Sequence, residues 1–212
     1  MVIKKFEFNP FPVNTYVLWD EKSKEAVIID AGCYFEEERT ALVNYITEQQ
    51  LSINHLLATH LHLDHNFGNP FVSRRFNLVL EANKEDEFLL QNMDAQARAF
   101  NMPLPDAPIP IGKYINEYDK ITFGSYQLEA IHVPGHSPGS MVYYCEQENV
   151  AFSGDVLFRS SIGRTDLVGG DFQTLITGIK SKLFTLADDV EIFPGHGPST
   201  TIGFEKKHNP FI

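Results

Sequence analysis

At 212 residues and 43% hydrophobic content the chain can bury a substantial core, and one compact unit spanning residues 1–212 is expected. Its 28 acidic against 17 basic residues give a formal charge of −11, and no basic run exceeds the pairs Lys4-Lys5, Arg74-Arg75 and Lys206-Lys207, which argues against nucleic-acid and anionic-membrane partners. The two cysteines, Cys33 and Cys145, lie far apart, and no segment approaches the ~18 apolar residues of a membrane span, so the expectation is a cytoplasmic protein without a disulfide framework.

In chain order, Asn14 to Trp19 and Ala26 to Asp30 read as two strands of a hairpin. Glu36-Glu37-Glu38 suits the positive end of a helix, and Leu42, Tyr45 and Ile46 continue it, so a helix is expected from about Phe35 to Gln50. Ile53 to Thr59 is apolar enough for a buried strand. Leu78 to Glu81 follows as another strand, then Lys84 to Phe100 as a helix, then a proline-rich segment from Pro103 to Pro110. Ile121 to Phe123 with Tyr126 to Val133, and Met141 to Cys145 with Asn149 to Ser153, form two further hairpins. Asp171 caps a helix whose Phe172, Leu175, Ile176, Ile179 and Leu183 keep amphipathic spacing, and Val190 to Phe193 is a last short strand. Strands and a helix, then strands and a helix, predict an α/β sandwich of two mixed sheets with the helices outside.

Ligand-type side chains gather where these apolar runs end. Residues 58–65 read A-T-H-L-H-L-D-H, while His136, Asp155 and His196 each follow a glycine just beyond a strand, in V-P-G-H, F-S-G-D and F-P-G-H. Glycine there permits a sharp turn and a close backbone approach. On an extended segment His60 and His62 point the same way, so with His136 they can chelate one cation. Asp64 and His65, in a turn, can face a second cation together with His196, and Asp155 can bridge the two. Two divalent metal ions are therefore expected, zinc first, with iron or manganese also suited to His and Asp donors. A hydroxide bridging them would be the nucleophile, with Asp64 and Asp155 as the catalytic carboxylates. Asp30, at a strand end in Asp30-Ala31-Gly32, is a candidate to orient a ligand histidine from behind, or else a turn-stabilising residue. His55, His132 and His208 lie in ordinary strand or terminal contexts and are read as core or surface side chains.

The combination T-H-L-H-L-D-H, Pro-Gly-His136, Ser-Gly-Asp155 and Pro-Gly-His196 resembles the metallo-β-lactamase superfamily, from Asn14-Thr15-Tyr16 to Gly197. The resemblance implies an αββα sandwich with a dinuclear site in the groove between the sheets and the ligand set given above. The β-lactamases themselves match less well, since their second metal site usually takes a cysteine and lacks a bridging aspartate. Phe152-Ser153-Gly154-Asp155-Val156-Leu157-Phe158-Arg159 followed by Gly163-Arg164-Thr165-Asp166 resembles the glyoxalase II (hydroxyacylglutathione hydrolase) group, especially its short bacterial members. That implies hydrolysis of a small thioester such as S-D-lactoylglutathione. Glyoxalase II proper continues into a C-terminal helical domain, which is expected to be missing because the sequence ends about sixteen residues after His196. Its Gly-Lys-Phe-Tyr stretch is here Gly163-Arg164-Thr165-Asp166, so Arg164 either contacts a substrate carboxylate or pairs with Asp166. The same Gly-Arg-Thr-Asp also resembles persulfide dioxygenases, which use a single iron on two histidines and an aspartate. That chemistry is the alternative.

Overall fold

Alternation along the strands decides which layer each side chain joins. The computed structural model describes residues 1–212. Strands β1 (Val2–Phe8), β2 (Val13–Trp19), β3 (Glu25–Ile29), β4 (Ser52–Leu57), β5 (Leu80–Ala82) and β6 (Ile111–Tyr114) form a first sheet in that order, antiparallel up to β3 and parallel beyond it. Then come β7 (Lys120–Phe123), β8 (Tyr126–His132), β9 (Met141–Cys145), β10 (Val150–Gly154), the small pair β11 (Leu157–Phe158) and β12 (Ser161–Ile162), β13 (Glu191–Pro194) and β14 (Thr200–Thr201). Here the second sheet runs β14-β13-β10-β9-β8-β7, with only β10-β13 parallel.

Central strands are apolar on both faces, as strands covered on both sides must be. Tyr16 and Leu18 of β2 and Val27 and Ile29 of β3 face inward, where they meet Leu128, Met141, Tyr143 and Phe152 of the second sheet. Val17, Trp19, Ala26 and Ile28, one residue out of phase, face outward. There α1 (Glu36–Glu48) buries Leu42 and Ile46 against them; α2 (Leu63–Asn66) and α3 (Asn69–Phe76) follow, α3 contributing Val72. Helices α4 (Glu87–Gln91) and α5 (Met93–Ala99) close the end of this layer. On the far side, α6 (Phe172–Lys182) and α7 (Ile202–His208) pack Leu175, Ile179 and Ile202 on Ile131, Val142 and Ala151. The result is the expected αββα sandwich. No helix is long and apolar enough to cross a membrane.

Two helix starts follow from their acids. The Glu38 carboxylate accepts from the backbone N–H groups of Asn9, Tyr34 and Phe35 at 2.7–3.0 Å, and Asp171 accepts from Thr174 N–H at 2.7 Å. Other expectations need correction. The helix expected over Lys84 to Phe100 is a 3₁₀ turn at Lys84–Asp86 followed by α4 and α5, broken at Asn92, whose side-chain amide donates to the Phe88 carbonyl at 2.8 Å. The strand expected to reach Thr59 stops at Leu57. The strand expected over Leu78 to Glu81 is shifted to Leu80–Ala82, leaving Val79 exposed. Strands β1 and β6 and helices α3 and α7 were not anticipated: β1 and β6 border the sheet with mixed polar and apolar residues, and the two helices are only 8 and 7 residues long.

The two sheets are also joined by polar bonds near their ends. The Tyr16 hydroxyl and the Asn14 side-chain amide both donate to the Pro194 carbonyl, at 2.7 and 2.9 Å. Asn14 donates further to the Gly197 carbonyl at 2.9 Å, and its backbone N–H donates to the Gly195 carbonyl at 2.7 Å. The loop carrying His196 is thus fastened to β2. Asn14→Ala removes two of these bonds and leaves carbonyls short of partners. At ~1 kcal/mol for each bond lost, and ~2–4 °C per kcal/mol for a chain of this size, thermal denaturation should show the melting temperature falling by roughly 4–8 °C.

Candidate metal centre

The first sheet delivers four of the seven clustered side chains from one loop. β4 ends at Leu57, and the chain then runs extended through His60-Leu61-His62 before α2 begins. Leu61 is fully buried in the outer core, so the two imidazoles flanking it project to the other side, with ring centroids 4.8 Å apart. Asp64 and His65 lie in the single turn of α2. The Asn66 side-chain amide donates to the His62 carbonyl at 2.6 Å and fixes the path of the loop. The second sheet delivers His136 from the β8–β9 loop, Asp155 just past β10 and His196 just past β13.

All seven converge. His62 Nδ1 and His60 Nε2 lie 2.8 and 3.2 Å from His136 Nε2. In the second group, His196 Nε2 is 3.3 Å from His65 Nε2 and 3.3 Å from Asp64 Oδ2. Asp155 reaches both groups: Oδ1 is 3.4 Å from His65 Nε2, and Oδ2 is 3.6 Å from His136 Nε2 and 3.5 Å from His196 Nε2. Donors about 2.0–2.1 Å from a tetrahedral cation lie about 3.3–3.4 Å from one another, so most of these separations suit ligands of shared cations. Asp155 Oδ1 is buried yet accepts no hydrogen bond, which is costly unless something else binds it. Nitrogen and oxygen donors without sulfur, with one carboxylate oxygen left over, fit a divalent metal at each group.

Glycines make this approach possible. Gly154 has φ +49°, a left-handed conformation disfavoured for other residues, as β10 turns into Asp155. A Cβ on Gly195 would collide with the Asp155 carboxylate and lie 2.7 Å from His65 Cε1.

Behind the imidazoles lies a second layer of hydrogen bonds. Asp30, with φ +53° in the left-handed region, accepts from Thr59 N–H and Thr59 Oγ1 at 2.7 Å each and faces His65 Nδ1 at 2.9 Å. His65 is thereby turned with Nε2 toward the cluster, an arrangement that fits the orienting role considered for Asp30. His136 Nδ1 faces the Arg164 carbonyl at 2.8 Å. The Arg164 side chain itself forms a bidentate pair with Asp166, at 2.7 Å for each bond, and lines the cavity mouth.

Sequence reasoning passed over Asp86. It is fully buried, and its carboxylate accepts from Leu61 N–H at 3.1 Å, Ser137 Oγ at 2.7 Å and Gly139 N–H at 2.6 Å, tying the His60–His62 loop to the His136 loop. An acid within the run Lys84-Glu85-Asp86-Glu87 looks like solvated charge, and only the 3₁₀ turn after β5 directs this one inward. His55 and His132 stay apart from the cluster, the first against Glu81 at 2.6 Å and the second against the Pro138 carbonyl at 2.7 Å. His208 packs beside Phe204.

The two groups differ in protonation. Burial drives His60 well below the usual imidazole range, with the neighbouring imidazoles adding to it, and burial followed by His136 lowers His62 to about 3. Burial also opposes charge on His65, but Asp155, Asp64 and Asp30 outweigh it and hold the ring well above its usual value. His196 is raised as well: burial opposes this, and the bond to Asp64 and the charge of Asp155 prevail. Burial would raise Asp155, yet His65, His136 and His196 hold it far below the ordinary carboxylate range. Above this floor opens a cavity of about 690 Å³ with largely apolar walls.

The chain matches the family described as the metallo-beta-lactamase superfamily over residues 8–196. It is 39% identical over 213 residues to the Haemophilus influenzae protein named hydroxyacylglutathione hydrolase GloC, covering 100% of this chain and 98% of the relative. Among solved structures it resembles the BLEG-1 B3 metallo-beta-lactamase, with TM-score 0.89, 37% identity and 99% of each chain covered. It also resembles TTHA1623 in a di-iron-bound form, with TM-score 0.86, 32% identity, and 99% of this chain and 100% of that one covered.

Asp155→Ala should weaken retention of both metal equivalents in elemental analysis, whereas His132→Ala should leave metal content unchanged. Selective loss of one equivalent would contradict a shared role for Asp155. Because His65 and His196 carry raised pKa values, a cation entering their group must displace protons, so its affinity falls as pH falls; the already neutral His60 and His62 impose less of this competition. Stepwise dialysis from about pH 8 to about pH 5 should therefore release one equivalent before the other. Simultaneous release would contradict the assignment.

Proposed function

Because the chain belongs to the metallo-beta-lactamase superfamily, whose fold binds divalent metals, we propose that it is a metal-dependent hydrolase of small thioesters, with S-D-lactoylglutathione as the representative substrate. In this reading His60, His62 and His136 hold one ion, Asp64, His65 and His196 hold the other, and Asp155 serves both. Zinc is proposed first and iron or manganese next. When bound, such ions polarise a carbonyl and lower the pKa of water from 15.7 toward about 7.

The chain's own residues arrange the rest. Asp64 and Asp155 line the cavity floor, where their carboxylates would help to hold the ions. Asp30 and the Arg164 carbonyl fix the rings of His65 and His136, so that their Nε2 atoms stay aimed at the site.

One observation points to a thioester. Outside the clustered side chains, Arg164 is the only ionisable group lining the cavity, and it is already paired with Asp166. The walls therefore offer no acid to protonate a departing amine, and the remaining proton carriers are the floor side chains that would be engaged in holding metal. A thiol of pKa about 8.5 leaves as the thiolate without that help, and an amide or lactam nitrogen does not.

Purified protein with its metal content measured should hydrolyse S-D-lactoylglutathione, and should still hydrolyse the same acyl group on a smaller thiol. Benzylpenicillin should be cleaved far more slowly. Dioxygen uptake with glutathione persulfide and no thioester cleavage would replace this reading with oxidation at a single iron.

A further inference from the structure

The cavity above the histidine cluster has a polar floor and apolar walls. Phe88, Leu89 and Ala95 from α4 and α5, Phe100 just beyond them, and Leu167 and Val168 line it. Val168 is 76% exposed and Phe100 48%. Phe100 is held in place by edge contact with Phe11, at a centroid distance of 5.5 Å. Large apolar side chains held in water beside a reactive floor lose that contact when an apolar ligand covers them.

The polar groups among the walls are already engaged. Gln96 accepts from Leu63 N–H and donates to the Leu89 carbonyl, Asn92 donates to the Phe88 carbonyl, and the Arg164 guanidinium is held by Asp166. A glutathione thiol carries two carboxylates away from the reacting carbonyl. The one cation on these walls, Arg164, is shared with Asp166, so two such groups gain little by leaving water.

We propose that the α4–α5 wall and Val168 bind an apolar group of the thioester, an alkyl or aryl chain several carbons long, and that selectivity comes from this group rather than from glutathione. The reaction rests on the hydrolase reading, but the binding does not. S-alkyl thioethers, which cannot be hydrolysed, test binding alone. They are prepared on glutathione and on N-acetylcysteamine, with chains from ethyl to hexyl, and titrated calorimetrically into the metal-loaded protein. The matching acyl thioesters are assayed for turnover.

Affinity should rise about fourfold per added methylene on both thiols, the factor equivalent to burying one such group. The kcat/KM of the thioesters should rise in step. Val168→Asp and Phe100→Ala, both at exposed positions, should flatten that slope while metal content stays unchanged. Affinity that is flat with chain length overturns the proposal, and so does more than tenfold tighter binding from glutathione at equal chain length. A clear slope in binding with no thioester cleaved supports the apolar site and removes the hydrolase reading instead.

Discussion

Five imidazoles and two carboxylates meet at the seam between two sheets, and at such distances they cannot all keep their ordinary charges. The His60 and His65 rings have centroids only 4.1 Å apart, both buried. Two protonated rings there would repel each other with little water to screen them. The site divides the burden: His60 and His62 are driven neutral, and the carboxylates surround His65 and His196. Divalent cations would resolve the same conflict more completely, because every ring would then serve as a neutral donor and Asp155 Oδ1, which otherwise lacks a partner, would have one.

Much of the surrounding structure serves that gathering. Removing a side chain that fixes one of these loops would let its ligand swing away, since a loop alone has too much freedom to hold a ring within a fraction of an ångström. Asp86 joins the two loops that carry His60, His62 and His136, Asp30 fixes His65, and Asn14 and Tyr16 secure the His196 loop. Each of these is a buried polar side chain whose desolvation is offset by hydrogen bonds, one at Tyr16, two at Asn14 and three each at Asp30 and Asp86. The apolar core between the sheets sets the distance across which those bonds reach.

The walls of the cavity follow a different logic. They come from α4, α5 and the segment around Val168; α4 and α5 bury Leu90, Met93 and Ala97 in the outer core and turn Phe88 and Ala95 to the cavity. A floor held by interlocking bonds and walls built from loops and short helices permit substrate preference to change without disturbing the metal centre.

By itself the sequence determined the layered α/β class, because strands such as Ala26 to Ile29 and Met141 to Cys145 must be covered on both faces, and it determined the seven clustered side chains, because each stands directly after an apolar run, with glycine ahead of three of them. Local signals of that kind are written in consecutive residues. Tertiary structure alone decided that Asp86 turns inward, that Asn14 and Tyr16 hold the His196 loop, and that the Arg164 carbonyl rather than its guanidinium meets His136. It also decided the break at Asn92 that places apolar side chains over the site. The contacts of Asp86, Asn14, Tyr16 and the Arg164 carbonyl join residues from 25 to 183 positions apart, so no local pattern encodes them; they exist only once the sheets have packed and a buried polar group must find whatever partner the fold brings within reach.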